Sequence, residues 1–305
     1  MTRPDHHWLD DLIHELEAGR DACRVVVARV DGSTPREAGA AMMVYQNHFT
    51  GTIGGGQLEH DAQLAARQAM VKQQAKTTQA PWKNYPLGPA LGQCCGGYVV
   101  VMTEVIRASD LALWKQLAAS RRRFIAHPDN ASAPPFAADE DGAVLVSAIT
   151  PPLTPLYLYG AGHVGRHIID LSFGLPLDRT WVDTSDDRFP DHIPPDVTKL
   201  VAAEPAQLAR YAPDGAIHLV MSYSHQIDLE VCLAVMQENR FSQLGLIGSA
   251  TKKSRFISRL KTAGVRPDHL NRLICPVGLD AITGKAPFRV ALSITAQLAQ
   301  WTEQD

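Results

Sequence analysis

The sequence contains few cysteines, and they lack the spacings that build metal sites or disulfide frameworks. Five of the 305 residues are cysteine, no Cys-x-x-Cys pair occurs, and Cys23, Cys232 and Cys275 are widely separated. An odd number of cysteines without framework spacing argues against a disulfide scaffold. The missing pairs also argue against a structural zinc site, so we expect the cysteines to be thiols.

Long apolar runs and a large charge excess are missing as well. No segment approaches the roughly 20 apolar residues of a membrane-spanning helix, and residues 1–8 contain no apolar signal region. We therefore expect a cytoplasmic, globular protein. The formal net charge of -3 gives no general attraction to nucleic acid or to an anionic membrane. Any anionic ligand must be held by a local site.

The length and patterning of the chain predict two domains of the α/β class. Residues 1–127 are expected to form an α+β domain, residues 128–153 a linker rich in alanine, proline and acidic side chains, and residues 154–305 a second domain. The strands predicted in the first domain cover residues 24–30, 41–45, 49–53 and 98–106. Its predicted helices cover residues 8–18 and 58–72 and a segment that includes residues 111–117.

The second domain carries the pattern of a doubly wound, parallel sheet. A predicted strand over residues 156–159 runs directly into Gly160, Gly162 and Gly165 of a Gly-x-Gly-x-x-Gly sequence. An amphipathic helix follows, and the next strand ends at Asp183, about twenty residues further on. Together these features predict a Rossmann-like domain. Its further strands are predicted over residues 197–201, 217–222 and 244–247, and its later helices over 207–211, 228–238 and 288–301.

Three consecutive glycines, Gly54, Gly55 and Gly56, fall at a predicted strand-to-helix turn of the first domain. Free amides at a helix start, bared by glycine, form a natural cradle for an anion. A tight turn that glycine merely permits is the alternative, and the sequence leaves both interpretations open. Arg36 and Glu59 flank the turns of this domain, and a solvated surface charge is the default interpretation of either.

Cys94 and Cys95 lie side by side in the sequence Leu-Gly-Gln-Cys-Cys-Gly-Gly. Neighbouring residues on an extended backbone point to opposite sides, so both cannot belong to one core-facing surface of a strand. A buried free cysteine that acts as a small hydrophobe is the structural alternative. The flanking glycines allow close approach of a ligand, and they favour a functional thiol.

The carboxyl ends of the second domain's strands are the expected place for a ligand. His163 is either a general acid or base or a solvated histidine. Asp183 suits ribose hydroxyls and would repel a 2'-phosphate, which favours NAD-like over NADP-like ligands. Ser249 and Lys252 belong to a loop at a helix start that suits a phosphate. Residues 222–225 are expected at the same edge.

Several segments, in order along the chain, resemble the bacterial accessory proteins of xanthine dehydrogenase known as XdhC. These segments cover residues 31–37, 51–59, 87–97, 160–165, 244–252, 276–279 and 284–285. The resemblance extends over most of both domains. Several long segments coinciding in order are far more specific than any one of them alone.

The resemblance implies a molybdenum cofactor-binding accessory protein, or chaperone, without turnover of its own. Such a protein holds the molybdopterin cofactor while a cysteine desulfurase takes part in its sulfuration, and assists its insertion into apo-xanthine dehydrogenase. Cys94 and Cys95 are then the residues expected to contact molybdenum or to carry sulfur as a persulfide. The cofactor or nucleotide contacts that we expect are Arg36, Gly54, Gly55, Gly56, Cys94, Cys95, Gly160, Gly162, His163, Gly165, Asp183, Ser249 and Lys252.

Two other classes of function remain open. The Gly160 loop would also serve an NAD(P)-dependent oxidoreductase, and the adjacent cysteines would also serve a thiol redox sensor. For the accessory protein, the Rossmann crevice is available for a nucleotide, and we expect a homodimer because two-fold assemblies are the commonest.

Overall fold

The computed structural model describes residues 8–72, 82–87, 96–119, 124–127, 145–148 and 153–303. The chain divides into two compact units, Met1–Pro152 and Leu153–Asp305. Most of the predicted linker, residues 128–153, lies outside the described residues. In the described part of the chain, no helix combines the length and the apolar character that a membrane crossing requires.

The first unit is built on a five-stranded antiparallel sheet with the strand order β3-β2-β1-β5-β4. Its strands are β1 (Ala22–Asp31), β2 (Ala41–Val44), β3 (Phe49–Gly51), β4 (Trp82–Pro86) and β5 (Tyr98–Ile106). Its helices are α1 (Trp8–Glu17), α2 (Gly56–Lys72) and α3 (Leu111–Ala119). A separate antiparallel pair joins β6 (Phe124–His127) to β7 (Leu145–Ala148).

The centre of the first sheet is β1, which is buried on both faces. Val25 and Val27 pack with Leu58 of α2, and Val26 lies in a separate buried cluster with Met102. β-Branched side chains favour such a strand because they pack well on a pleated surface. The consecutive valines therefore explain why β1 occupies the middle of the sheet.

The second unit contains a six-stranded parallel sheet with the order β10-β9-β8-β11-β12-β13. Its strands are β8 (Thr154–Tyr159), β9 (Leu177–Asp183), β10 (Val197–Val201), β11 (Ile217–Val220), β12 (Gln243–Leu246) and β13 (Leu273–Ile274). Its helices are α4 (His163–Leu171), α5 (Pro205–Ala209), α6 (His225–Glu238), α7 (Ala250–Thr262), α8 (Pro267–Leu270) and α9 (Pro287–Thr302). This order, with β8 as first strand, is that of a Rossmann fold, and the predicted fold class is confirmed.

Helices cover the parallel sheet through two buried clusters. One cluster joins α4 and α9 to the sheet through residues such as Ile168, Ile294 and Trp181. The other joins α6 and α7 to the sheet through residues such as Val231 and Phe256. Burial on both faces is the usual condition of a parallel sheet. The carboxyl ends of the strands are thereby left as the place where loops can form a site.

Two helices of the second unit begin two or three residues earlier than the sequence indicated. The helix predicted over residues 207–211 is instead α5, Pro205–Ala209, because a proline at the first helical position has its backbone dihedral already fixed for a helix. The helix predicted over 228–238 begins at His225, because the Ser224 side chain caps it by accepting from the backbone amides of Gln226 and Ile227.

Candidate functional site

The glycine loop after β8 is shaped by close backbone packing. Gly160 has a φ of +123°, and a Cβ there would lie 2.4 Å from the carbonyl oxygen of Met221. A Cβ at Gly165 would lie 2.2 Å from the carbonyl oxygen of Gly160. Both positions therefore require glycine for packing between strand and helix. Gly162 and His163 are exposed where α4 begins.

The carboxylate of Asp183, at the end of β9, is buried and engaged within the protein. Its Oδ2 accepts a hydrogen bond from the Ala161 amide at 2.6 Å, and its Oδ1 accepts one from the Thr184 amide at 2.7 Å. The Arg188 Nε lies 3.5 Å from Oδ1. The carboxylate that the sequence associated with ribose hydroxyls thus holds the glycine loop in place.

Arg188 and Tyr223 meet at the same edge of the sheet. The guanidinium carbon of Arg188 lies 3.5 Å from the centroid of the Tyr223 ring, a cation–π contact. Arg188 follows β9 and Tyr223 follows β11, the strands on either side of β8. Arg166 on α4 also donates to the carbonyl oxygens of Ala161 and Arg188. Together these contacts connect the segments after β8, β9 and β11 with α4, at the point where the strand order of the sheet reverses.

A cavity of about 810 Å³ opens beyond the carboxyl ends of β11 and β12, beside the starts of α6 and α7. Its lining combines several hydroxyl groups with cationic side chains and has no acidic residue among the residues described there. The lining residues are Ser222, Tyr223, His225, Ile247, Gly248, Ser249, Thr251, Lys252, Arg255, Phe256, Ser258 and Arg259.

The floor of this cavity is fixed by a buried ion pair. Asp228 on α6 is fully buried, and its Oδ2 lies 2.7 Å from the Nζ of Lys252 on α7. Its Oδ1 accepts hydrogen bonds from the amide and the hydroxyl of Ser222, at 2.9 and 2.7 Å. The Lys252 Nζ also donates to the carbonyl oxygen of Ile247. This network joins β11, α6, β12 and α7.

The three cysteines within the described residues are poor candidates for thiol chemistry. Cys23, Cys232 and Cys275 are all buried. Burial raises the pKa of Cys23 to about 12 and also raises the pKa of Cys232 and of Cys275. Because the thiolate is the reactive form, these side chains are inert near neutral pH. Cys94 and Cys95 lie outside the described residues.

The triple-glycine turn in the first unit forms around the chain's own Glu59. Gly54, Gly55 and Gly56 all have positive φ angles, which glycine adopts without strain. The Oε2 of Glu59 accepts hydrogen bonds from the Ile53 amide at 3.0 Å and from the Gly55 amide at 3.1 Å. Within the predicted anion cradle, the Gly55 amide is thus occupied by an internal carboxylate, and the Gly54 amide donates to the Thr52 hydroxyl. Glu59, for which a solvated charge was the default, has a structural role instead.

Three motifs of the first unit meet at one end of its sheet. A Cβ at Gly54 would lie 2.5 Å from the Pro35 Cγ, and Arg36 approaches the Thr52 carbonyl oxygen at 3.5 Å. A Cβ at Gly97 would lie 2.2 Å from the Ser33 carbonyl oxygen. Gly96 and Gly97 follow the cysteine pair in the sequence. The turn that ends at Arg36, residues 31–36, is called the Arg36 turn, and residues 91–97 are called the glycine-cysteine segment. The Arg36 turn therefore contacts both the triple-glycine turn and the end of the glycine-cysteine segment.

The structure groups the predicted contacts into separate sets. Ser249 and Lys252 line the cavity together with Ser222, Tyr223 and His225, whereas the glycine loop and Asp183 lie around β8. Arg36 lies against the triple glycine in the other unit. Arg255 and Arg259 also line the cavity, although neither was among the contacts predicted from the sequence. Their spacing from Lys252, by three and seven residues, is the helical signal that places all three on one face of α7.

The order of the strands and the glycine loop define the second unit as a Rossmann-type domain, preceded here by an α+β domain. Residues 156–298 match the family model described as the XdhC Rossmann domain, and residues 15–79 match the model described as the XdhC and CoxI family. The chain therefore belongs to the XdhC family, and the resemblance of its segments is confirmed.

Two known proteins are similar to this chain, and one of them is a solved structure that agrees with its fold. A solved structure described as a xanthine dehydrogenase from Bacillus halodurans is 21% identical, with a TM-score of 0.75, and the match covers 98% of this chain and 95% of that chain. The protein YqeB of Escherichia coli (strain K12), described as uncharacterized, is 25% identical over 270 residues. That match covers 88% of this chain and 41% of YqeB, so this chain spans about two fifths of that relative's length.

Proposed function

We propose that this chain is a maturation factor that holds the molybdenum cofactor during sulfuration and assists its insertion into apo-xanthine dehydrogenase. Membership of the XdhC family supports the role as a maturation factor. A cysteine desulfurase is the proposed partner for sulfuration. The chain acts as a carrier and performs no turnover of its own.

The observation that carries this proposal is the meeting of three motifs at one end of the first sheet. The Arg36 turn contacts the triple-glycine turn, and it packs against Gly97 so closely that a side chain there would collide with the Ser33 carbonyl. Such packing supports a fixed position for the end of the glycine-cysteine segment. Arg36 supplies a cation that suits the cofactor's phosphate.

The burial of the other three cysteines supports Cys94 and Cys95 as the residues for molybdenum or persulfide chemistry. Cys23, Cys232 and Cys275 are buried and have raised pKa values, so they are unsuited to it. The cofactor brings a phosphate and a dithiolene-bound molybdenum. The protein's contribution is to bind, orient and shield it.

The interpretation as an NAD(P)-dependent oxidoreductase receives less support from the second unit. The carboxylate of Asp183 is occupied by the Ala161 and Thr184 amides and lies near Arg188. A ribose hydroxyl would compete with these contacts for the same oxygens. The accessory role makes no such demand on Asp183.

The test is a cofactor pull-out with the full chain. The protein is incubated with a source of molybdenum cofactor and desalted, and molybdenum and pterin are assayed in the protein peak. We expect both at near-equal molar amounts in the wild type and their loss in the double variant Cys94→Ala, Cys95→Ala. Gln93→Ala, from the same segment, should retain them. No cofactor in the wild type, or full retention in the double variant, would contradict the proposal.

A further inference from the structure

The cavity beside α7 carries charge of one sign. Arg255 and Arg259 are four residues apart on α7, so they lie on one face of the helix. Within the described residues Arg255 has no ion pair or hydrogen bond through its guanidinium, and the Arg259 guanidinium donates to the neutral side chain of Gln226 at 3.0 Å. The Asp228 carboxylate, which pairs with Lys252, is fully buried and does not line the cavity.

Lys252 belongs to the cavity wall although its charge is paired. An ammonium group has three donors, and Lys252 uses two of them on Asp228 and the Ile247 carbonyl. The side chain lines the cavity, and its third donor has no hydrogen-bond partner among the described residues. The ion pair therefore cancels the charge of Lys252 and holds the group in a fixed position. Arg255 and Arg259 then supply the net positive charge.

The cavity has the dimensions of a small-molecule site. Its volume of about 810 Å³ falls within the roughly 300–1,000 Å³ range of ligand pockets, and it is much larger than a single phosphate group needs. The hydroxyls of Thr251 and Ser258 add neutral hydrogen-bonding groups to its lining. Guanidinium groups match the oxygens of a phosphate in a forked geometry.

We propose that this cavity binds a phosphorylated ligand of nucleotide size, with Arg255 and Arg259 on its phosphate groups. The site lies beyond the carboxyl ends of β11 and β12, whereas Asp183 and the start of α4 follow β9 and β8. It belongs to the second unit alone. The proposal goes beyond the cofactor-carrier function and needs neither molybdenum nor the cysteine pair.

Isothermal titration of the full chain with inorganic pyrophosphate and with ADP tests the proposal. We expect both to bind the wild type, and the affinity to fall by about tenfold or more in Arg255→Gln, Arg259→Gln, because the variant loses the charge-assisted hydrogen bonds of both guanidinium groups to phosphate oxygens. Both arginines are exposed, so folding should be retained. Lys261→Gln, Arg266→Gln removes the same charge outside the cavity lining and should bind as the wild type does.

Three results would overturn the proposal. The first is that neither probe binds the wild type, and the second is that binding weakens equally in the two double variants. The third is that ADP binds no more tightly than pyrophosphate, which would show that the cavity does not recognise a ligand of nucleotide size. The variant Cys94→Ala, Cys95→Ala separates this site from the proposed cofactor function, because it should bind both probes unchanged.

Discussion

The Asp228 carboxylate is fully buried. It accepts hydrogen bonds from the Lys252 ammonium and from the amide and the hydroxyl of Ser222. Removing one member of a buried pair leaves the other charge uncompensated, which is far more destabilising than loss of an exposed pair. The residue therefore stabilises the cavity floor.

The substitution Asp228→Asn should lower the free energy of unfolding by about 3 kcal/mol, because the Lys252 ammonium keeps its position without a counter-charge. Urea unfolding of the full chain measures it. Asp214→Asn is the matched control: Asp214 is exposed and pairs with exposed Arg240, so its change should stay below about 0.5 kcal/mol. Equal effects of the two substitutions would refute a structural role for the buried pair.

Glu104 gives the first unit a dependence on pH. Glu104 on β5 lies opposite Arg24 on β1. Burial raises the pKa of Glu104 from 4.5 to about 7, the charge of Arg24 opposes the rise, and the charge of Asp110 adds to it. Between these two pH values the folded state binds more protons than the unfolded state. Stability from this group is therefore complete below pH 4.5 and is lost as the pH rises towards 7.

The variant Glu104→Gln should remove this dependence. The free energy of unfolding of the variant, relative to the wild type, is expected to rise between pH 5 and pH 8 by roughly 1.4 kcal/mol for each unit of pKa shift. Hydrogen exchange of peptides from β1 and β5 at the two pH values measures the first unit specifically. A constant difference between variant and wild type would show that Glu104 titrates normally.

At the scale of elements, the turn between β3 and α2 depends on one side chain. Glu59 accepts hydrogen bonds from two backbone amides and from the Thr52 hydroxyl. Glu59→Ala should cost about 1–3 kcal/mol, because amides inside the turn lose their acceptor. Faster hydrogen exchange over residues 53–56 and a lower unfolding midpoint are the expected signs. The exposed Gln57 lies in the same helical turn, and Gln57→Ala should change neither the hydrogen exchange nor the unfolding midpoint. Unchanged hydrogen exchange over residues 53–56 in Glu59→Ala would contradict this account.

Elements with strong patterns were predictable from the sequence, and short or polar elements were not. β5 and β10 have the predicted bounds because runs rich in β-branched residues with clear ends specify them. β4 was not predicted, since Trp-Lys-Asn-Tyr-Pro alternates weakly and ends in proline, which suits an edge strand. β13 is only two residues long and forms through pairing with β12. Such pairing is a tertiary effect that local patterns do not contain.

The whole molecule consists of two units that each bury a core of their own. A domain with its own core can fold alone. We expect a fragment of residues 153–305 to unfold cooperatively and to keep slow hydrogen exchange in β8 and β11, as in the full chain. Rapid exchange of these strands in the fragment would show that the second unit needs the first.

The site was predictable in its location but not in its internal bonding. The glycine loop, Ser249 and Lys252 follow strands of a parallel sheet, so the sequence places them at one edge. It does not tell whether a carboxylate such as Asp183 or Glu59 faces a ligand or bonds to a neighbouring amide, since both arrangements have the same pattern. Those bonds depend on distances between segments that are far apart in the chain.

The position of Asp183 has a consequence for anyone who wishes to redesign this domain. In many Rossmann enzymes an acidic residue about twenty positions after the glycine loop binds the ribose of NAD and so contributes to cofactor preference. Here the same residue secures the Ala161 and Thr184 amides, and its exchange would loosen the glycine loop before it altered any preference. A change of ligand in this protein is better sought on the exposed face of α7, where side chains can be replaced without removing a support of the fold.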